Sequence, residues 1–116
     1  MEHGKKNRKF GRETKQRGAL MRGLANALIN QGRIITSEAK AKSLKVYIEK
    51  LITKSKKADL ATKRLLISKI GPSSAAKLMT ETGTRFQNRH GGYTRIIKLA
   101  PRTGDGAKLS IIEFLK

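Results

Sequence analysis

The stretch Thr84–Gly92, TRFQNRHGG, gathers the residue types in this chain best suited to chemistry. Arg85 and Arg89 carry planar guanidinium groups that can fork onto phosphate oxygens. Gly91 and Gly92 lack side chains, so their amides can come close to a phosphate. Phe86 and Tyr93 have two readings. They are stacking platforms for unpaired bases, or they fill the core beside a strand-entry turn whose glycines take positive φ. His90 among these residues resembles part of a nuclease site, but general acid–base work needs a positioned partner. Metal-assisted phosphodiester cleavage needs clustered carboxylates to hold magnesium. Glu2, Glu13, Glu38, Glu49, Asp59, Glu81, Asp105 and Glu113 are scattered without recognisable spacing. There is no GxxxxGK[ST] loop and no GxSxG elbow. Catalysis is therefore not expected, and His90 reads as a phosphate or base contact or as a turn residue.

Charge points the same way. The 116 residues hold 27 Lys+Arg against 8 Asp+Glu, a formal net charge of +19. A compact domain with that charge repels itself, and a polyanion neutralises it in use. Nucleic acid is the commonest such polyanion, with an anionic membrane as runner-up. The chain has no cysteine, so disulfide and thiol chemistry are excluded. His3 and His90 alone cannot build a zinc site of the usual kinds, and no cofactor is expected. No apolar run approaches the ~20 residues of a membrane span. The basic N-terminus lacks the apolar segment of a secretory signal. The expectation is one cytoplasmic domain with a modest core, burying roughly 65% of its unfolded surface.

Residues 1–13, MEHGKKNRKFGRE, place Lys5, Lys6, Arg8, Lys9 and Arg12 around Gly4 and Gly11 with Phe10 alone strongly apolar. Such a segment cannot form a core and reads as a flexible arm that orders on RNA. Fully extended it reaches about 43 Å. Residues 14–116 read as a single globular domain. Thr14–Gln31 is a helix with Thr14 as cap, Leu20, Leu24, Ala27 and Leu28 as its inner stripe, and Gly32 as its stop. Lys15, Arg17 and Arg22 carry the basic arm into it. Gly18 and Gly23 weaken it by up to ~1 kcal/mol each and leave room for another backbone or for RNA.

Arg33–Thr36 is a short strand, and Ser37 caps the central helix that runs to about Lys57. Ala41, Leu44, Ile48, Leu51 and Ile52 form one apolar stripe roughly 100° wide. Lys42, Lys45, Lys50 and Lys54 lie beside or opposite it and face outward. Ala58–Ile70 is a third helix with Leu60, Leu65, Leu66 and Ile70 inside, ended by Gly71–Pro72. Ser73 or Ser74 caps a short fourth helix with Ala75, Leu78 and Met79 apolar, closed by Gly83. Tyr93–Leu99 and Leu109–Leu115 are strands joined by the turn-rich Ala100–Lys108, which carries Arg102. The expected fold is α+β and two-layered: helix, strand, three helices and a β-hairpin, with helices backing a small sheet. Basic residues in every element favour a protein embedded in folded RNA.

The run Ile35-Thr36-Ser37-Glu38-Ala39-Lys40-Ala41-Lys42, then Glu49 and Leu51-Ile52-Thr53-Lys54-Ser55-Lys56, closely resembles the signature of the family of the seventeenth protein of the bacterial large ribosomal subunit. Arg85-Phe86, Arg89 and Gly91-Gly92-Tyr93-Thr94-Arg95-Ile96-Ile97-Lys98 look like that family's second hallmark, and Arg102-Thr103-Gly104-Asp105 like its hairpin loop. The resemblance covers essentially the whole chain in order. It departs at Glu2 beside His3, and at Ala39 near the place where the family often has proline. It implies a structural, non-catalytic protein that binds large-subunit ribosomal RNA and meets neighbouring subunit proteins toward the peptide exit side. RNA contacts are then implied for the arm, for central-helix lysines including Lys40 and Lys42, and for the loop through Arg95. A chromatin-type DNA binder is the second possibility, but neither a heptad nor an obvious recognition helix is seen. A membrane binder needs an exposed aromatic or leucine-rich face, and these stripes read as core.

Overall fold

The computed structural model describes residues 14–57, 59–100 and 108–115. The arm with Lys5, Lys6, Arg8, Lys9 and Arg12, and the hairpin connector with Arg102, lie outside the described residues, as does the side chain of Lys15. Helix α1 spans Thr14–Gln31, strand β1 Arg33–Ser37, helix α2 Glu38–Ser55 and helix α3 Leu60–Ile70. Helix α4, Pro72–Lys77, runs through a π-helical stretch, Leu78–Thr82, into one last turn, α5, Gly83–Arg85. Strands β2, Thr94–Lys98, and β3, Leu109–Phe114, complete an antiparallel sheet of order β1-β3-β2. The α+β architecture is as the sequence implies.

Helix α2 is the centre. It packs against α1, α3, the π-helical stretch, α5 and all three strands. Its start is fixed chemically: extended Ser37 accepts from Lys40 N at 3.3 Å, satisfying one first-turn donor. Ala41, Leu44, Ile48, Leu51 and Ile52 are all buried, as their spacing predicts. Full burial of each Leu or Ile is worth about 1.5–3 kcal/mol. The sheet lies over this stripe. Ile34, Ile112 and Ile96 sit side by side in register and turn toward the helix. The row beside it, Ile35–Ile111–Ile97, faces outward with Ile35 62% and Ile97 38% exposed.

Several local expectations are corrected. Helix α1 already includes Thr14, so its cap position falls outside the described residues. Its buried face centres on Ala25, Leu28 and Ile29, while Leu20, Leu24 and Ala27 are only half-buried. Nothing lies within 4 Å of the Cβ positions of Gly18 or Gly23, so no part of the described chain needs them small. Helix α2 ends at Ser55 rather than near Lys57. Helix α3 is capped by Asp59, which accepts from Thr62 N at 2.8 Å; Leu60 lies outside the core, 61% exposed, and Leu65 is also exposed.

Neither Ser73 nor Ser74 caps α4. Gly71, at φ 90, holds the cap position, Pro72 starts the helix, and buried Ser74 hydrogen-bonds Asn26 of α1. Gly83 does not end the helix either. A Cβ there would meet Leu78 O at 2.9 Å and Ser55 Oγ at 3.0 Å, so this glycine lets α5 press against α2.

Candidate nucleic-acid interface

The Arg/Gly loop is held on α2 by aromatic packing and by one lysine. Phe86 and Tyr93 are 3% and 1% exposed, with ring centroids 5.2 Å apart at a 50° tilt, a favourable non-parallel contact. Phe114 also packs against Phe86, with ring centroids 6.4 Å apart. Both loop rings therefore belong to the core, and the base-stacking reading fails for them. Lys56, just past α2, donates to Tyr93 Oη at 3.1 Å and to Arg89 O, and sits 5.1 Å from the tyrosine ring centre. Burial pushes the Tyr93 phenol up, but its hydrogen bonds with Thr53 and Lys56 and the Lys56 charge outweigh it and hold the phenol below its ordinary value. Sequence reasoning missed Lys56 as a brace; its place one turn beyond the last buried stripe residue was the available signal.

On this platform the turn opens outward. Gly91 at φ 108 and Gly92 at φ 64 occupy backbone conformations that side-chain-bearing residues rarely adopt. Arg89 Nε donates to Gly92 O at 3.0 Å, pinning the turn while the residue itself stays exposed. Arg85 lies 5.5 Å over the Phe86 ring and donates from Nη1 to Leu115 O at 3.4 Å. Each guanidinium has five N–H donors and spends few of them internally, so most remain for phosphate. His90 is exposed beside them. Arg85, Arg89, His90, Gly91 and Gly92 are thus brought together on one rim.

The other candidates are more dispersed. Arg95 donates from Nε to Glu113 Oε2 at 2.5 Å, and Arg33 stands 3.7 Å from the same carboxylate on the outer sheet face. Lys42 and Lys98 both pair with Glu38, at 3.5 and 3.4 Å. Hydrogen bonding from Lys98 is the main reason that the Glu38 carboxyl is held below its ordinary range. Lys40 is half-buried in the first turn of α2. Arg17 is half-exposed on α1, and Arg22 donates to Ser68 O at 3.1 Å, tying α1 to α3.

Lys45 does not face outward with the other lysines. Its Nζ donates to Thr94 O at 2.7 Å and to Glu49 Oε2 at 3.1 Å, while Glu49 also accepts from Thr94 N at 3.1 Å and Thr94 Oγ1 at 2.9 Å. This clamp fixes the start of β2, and so the exit of the loop, against α2. Burial raises the Glu49 pKa, but the Lys45 and Thr94 hydrogen bonds overcome it and the net shift is downward. A depressed folded pKa means stability that is present above the unfolded value and is lost as pH falls through the folded one. Glu49→Gln is expected to cost about 1–2 kcal/mol at pH 7. The deficit against wild type should shrink as pH drops below about 4.5. Thermal unfolding of both proteins from pH 7 to 3 checks it; a deficit that does not vary with pH would remove Glu49 as an ionised clamp.

Among the described residues no group of three or more His, Cys, Asp or Glu could hold a metal ion. No helix among them is long and apolar enough to cross a membrane.

Comparison with known proteins shows the family. Residues 20–115 match the family described as Ribosomal protein L17. A large ribosomal subunit protein bL17 of Nautilia profundicola is 52% identical over 99% of this chain and 98% of its own length. The bL17 proteins of Gemmatimonas aurantiaca and Hydrogenobaculum sp. are each 48% identical, covering 99% and 100% of this chain and 98% and 100% of their own lengths. With residues 20–115 matched and relatives aligned over 98–100% of their own lengths, the chain belongs to the ribosomal protein L17 family.

Proposed function

We propose that this chain is a non-enzymatic, structural constituent of the large ribosomal subunit, working in the cytoplasm, and that it clamps large-subunit ribosomal RNA. The observation that carries the reading is end-to-end likeness to large-subunit proteins in a chain of net charge +19. Lys and Arg displace the counterions condensed on RNA and let phosphate backbones pack closely. The exposed Arg85–Gly92 rim is one set of contacts. Arg17, Arg22, Lys40, Lys42 and Arg95 extend the contact surface over other faces. The reading includes residues 1–13 as a basic arm, with Lys5, Lys6, Arg8, Lys9 and Arg12 ordering on RNA, joined by Lys15. The body is residues 14–116, with Arg102 contributing from the hairpin connector. It also includes neighbouring subunit proteins as partners, on the peptide exit side, as the resemblance implies.

Sedimentation of the tagged chain from lysate on a sucrose gradient after a high-salt wash tests this. Co-migration with the large subunit and with whole ribosomes is the expected result. A chain that stays at the top of the gradient even at low salt overturns the reading.

A further inference from the structure

An open groove of about 450 Å³ runs between the outward face of α2 and the glycine turn, lined by Val46, Glu49, Lys50, Thr53, Lys54, Gly91 and Tyr93. Its size is within the range of small-ligand sites, which run from about 300 to 1,000 Å³. Three features define what it accepts. Val46 is 58% exposed, a bare aliphatic surface opposite the buried stripe of its own helix. Lys50 and Lys54 stand one and two turns further along that face, exposed, with no ion-pair partner among the described residues. The facing wall is backbone: at Gly91 there is nothing within 4 Å of where a Cβ would lie, so a flat group can slide against the turn.

We propose that this groove seats one unpaired nucleotide of the RNA, with its base on Val46 against the Gly91 backbone and its phosphate between Lys50 and Lys54. A base supplies a flat apolar face with polar edges, and single-stranded RNA is recognised through such splayed-out bases. The flanking phosphates complement the two free ammonium groups. An A-form duplex, its bases stacked inside, offers no such group. The inference rests on the RNA-binding reading above and names the kind of RNA element that this part of the surface selects.

The test uses the full chain in ribosomes of cells in which it is the sole copy. Val46→p-benzoylphenylalanine puts a photo-crosslinker in the groove at an exposed position. Irradiation of salt-washed large subunits should join it to the RNA at one unpaired nucleotide. Adding Lys50→Glu and Lys54→Glu should lower the crosslink yield roughly tenfold while the chain still co-sediments. In a second readout, probing subunits that carry Val46→Asp with a 2′-hydroxyl acylating reagent, which reports all four nucleotides, should show the same nucleotide gaining reactivity several-fold over wild type. Crosslinking to a neighbouring protein overturns the proposal, and so does unchanged reactivity of that nucleotide in subunits that contain the variant. Absence of the wild-type chain from the subunit is a different result and overturns the RNA-binding reading itself.

Discussion

Ile48→Ala should unfold this protein more readily than any comparable change on the outer face of the same helix. Ile48 is fully buried near the middle of α2, the helix on which α1, α3 and the whole sheet converge. Truncating such a side chain removes its transfer free energy and leaves a cavity that rigid neighbours cannot close. The cost for Ile→Ala is about 2–5 kcal/mol, set against a total of about 5–15 kcal/mol for a domain. In urea the midpoint should fall sharply while the slope stays constant, because the surface exposed on unfolding barely changes. Val46→Ala, on the opposite face, is the internal control and should stay within about 0.5 kcal/mol of wild type. Equal losses for the two substitutions would mean that α2 is not the element around which the core is built.

The same contrast explains what was legible in the sequence. The α2 stripe was readable residue by residue because five apolar positions recur at helical spacing behind a serine cap, and tertiary packing agrees with the local pattern. Gly83 was not readable. A glycine that ends a helix and a glycine that admits a neighbouring helix look identical in one sequence; only Ser55 lying over it distinguishes them. Leu60 and Leu65 were assigned to the core by type, yet α3 packs on its neighbours along Thr62, Leu66 and Ile70, a face that periodicity in so short a helix defines poorly. The loop shows the same limit. Its arginines and glycines do come together on one rim, but the aromatic residues between them go inward, because Phe86, Tyr93 and Phe114 make a cluster that spans sequence distances no local pattern reports. Lysines were the least legible. Lys45 and Lys50 are both helical lysines one turn or so apart, and only the arrival of Thr94 makes the first a structural clamp and leaves the second open.

That division between committed and open cations yields the largest expected effect on RNA binding. Reversing Arg85 and Arg89 together, Arg85→Glu with Arg89→Glu, removes one bond to Leu115 O, one to Gly92 O and the stacking of Arg85 on Phe86. These are exposed interactions worth about 1–3 kcal/mol together, below the about 5–15 kcal/mol of a typical domain, so the fold should survive. RNA affinity should not. Each phosphate neutralised contributes about 0.7–0.9 to the slope of log affinity against log salt. At 0.15 M salt each contact is therefore worth roughly four- to fivefold. Losing two weakens binding about twentyfold, before the repulsion of two new carboxylates is counted, and flattens the slope by about 1.5. A salt titration of the full chain on large-subunit RNA measures both quantities. Lys45→Glu separates binding from structure, because that lysine sits in the Glu49–Thr94 clamp. It should lower the unfolding midpoint and leave the salt slope, measured below that midpoint, nearly unchanged. If reversing both arginines alters neither affinity nor slope, the loop is not where this chain holds RNA. The contact surface would then have to be sought on the remaining open cations of α2 and α3.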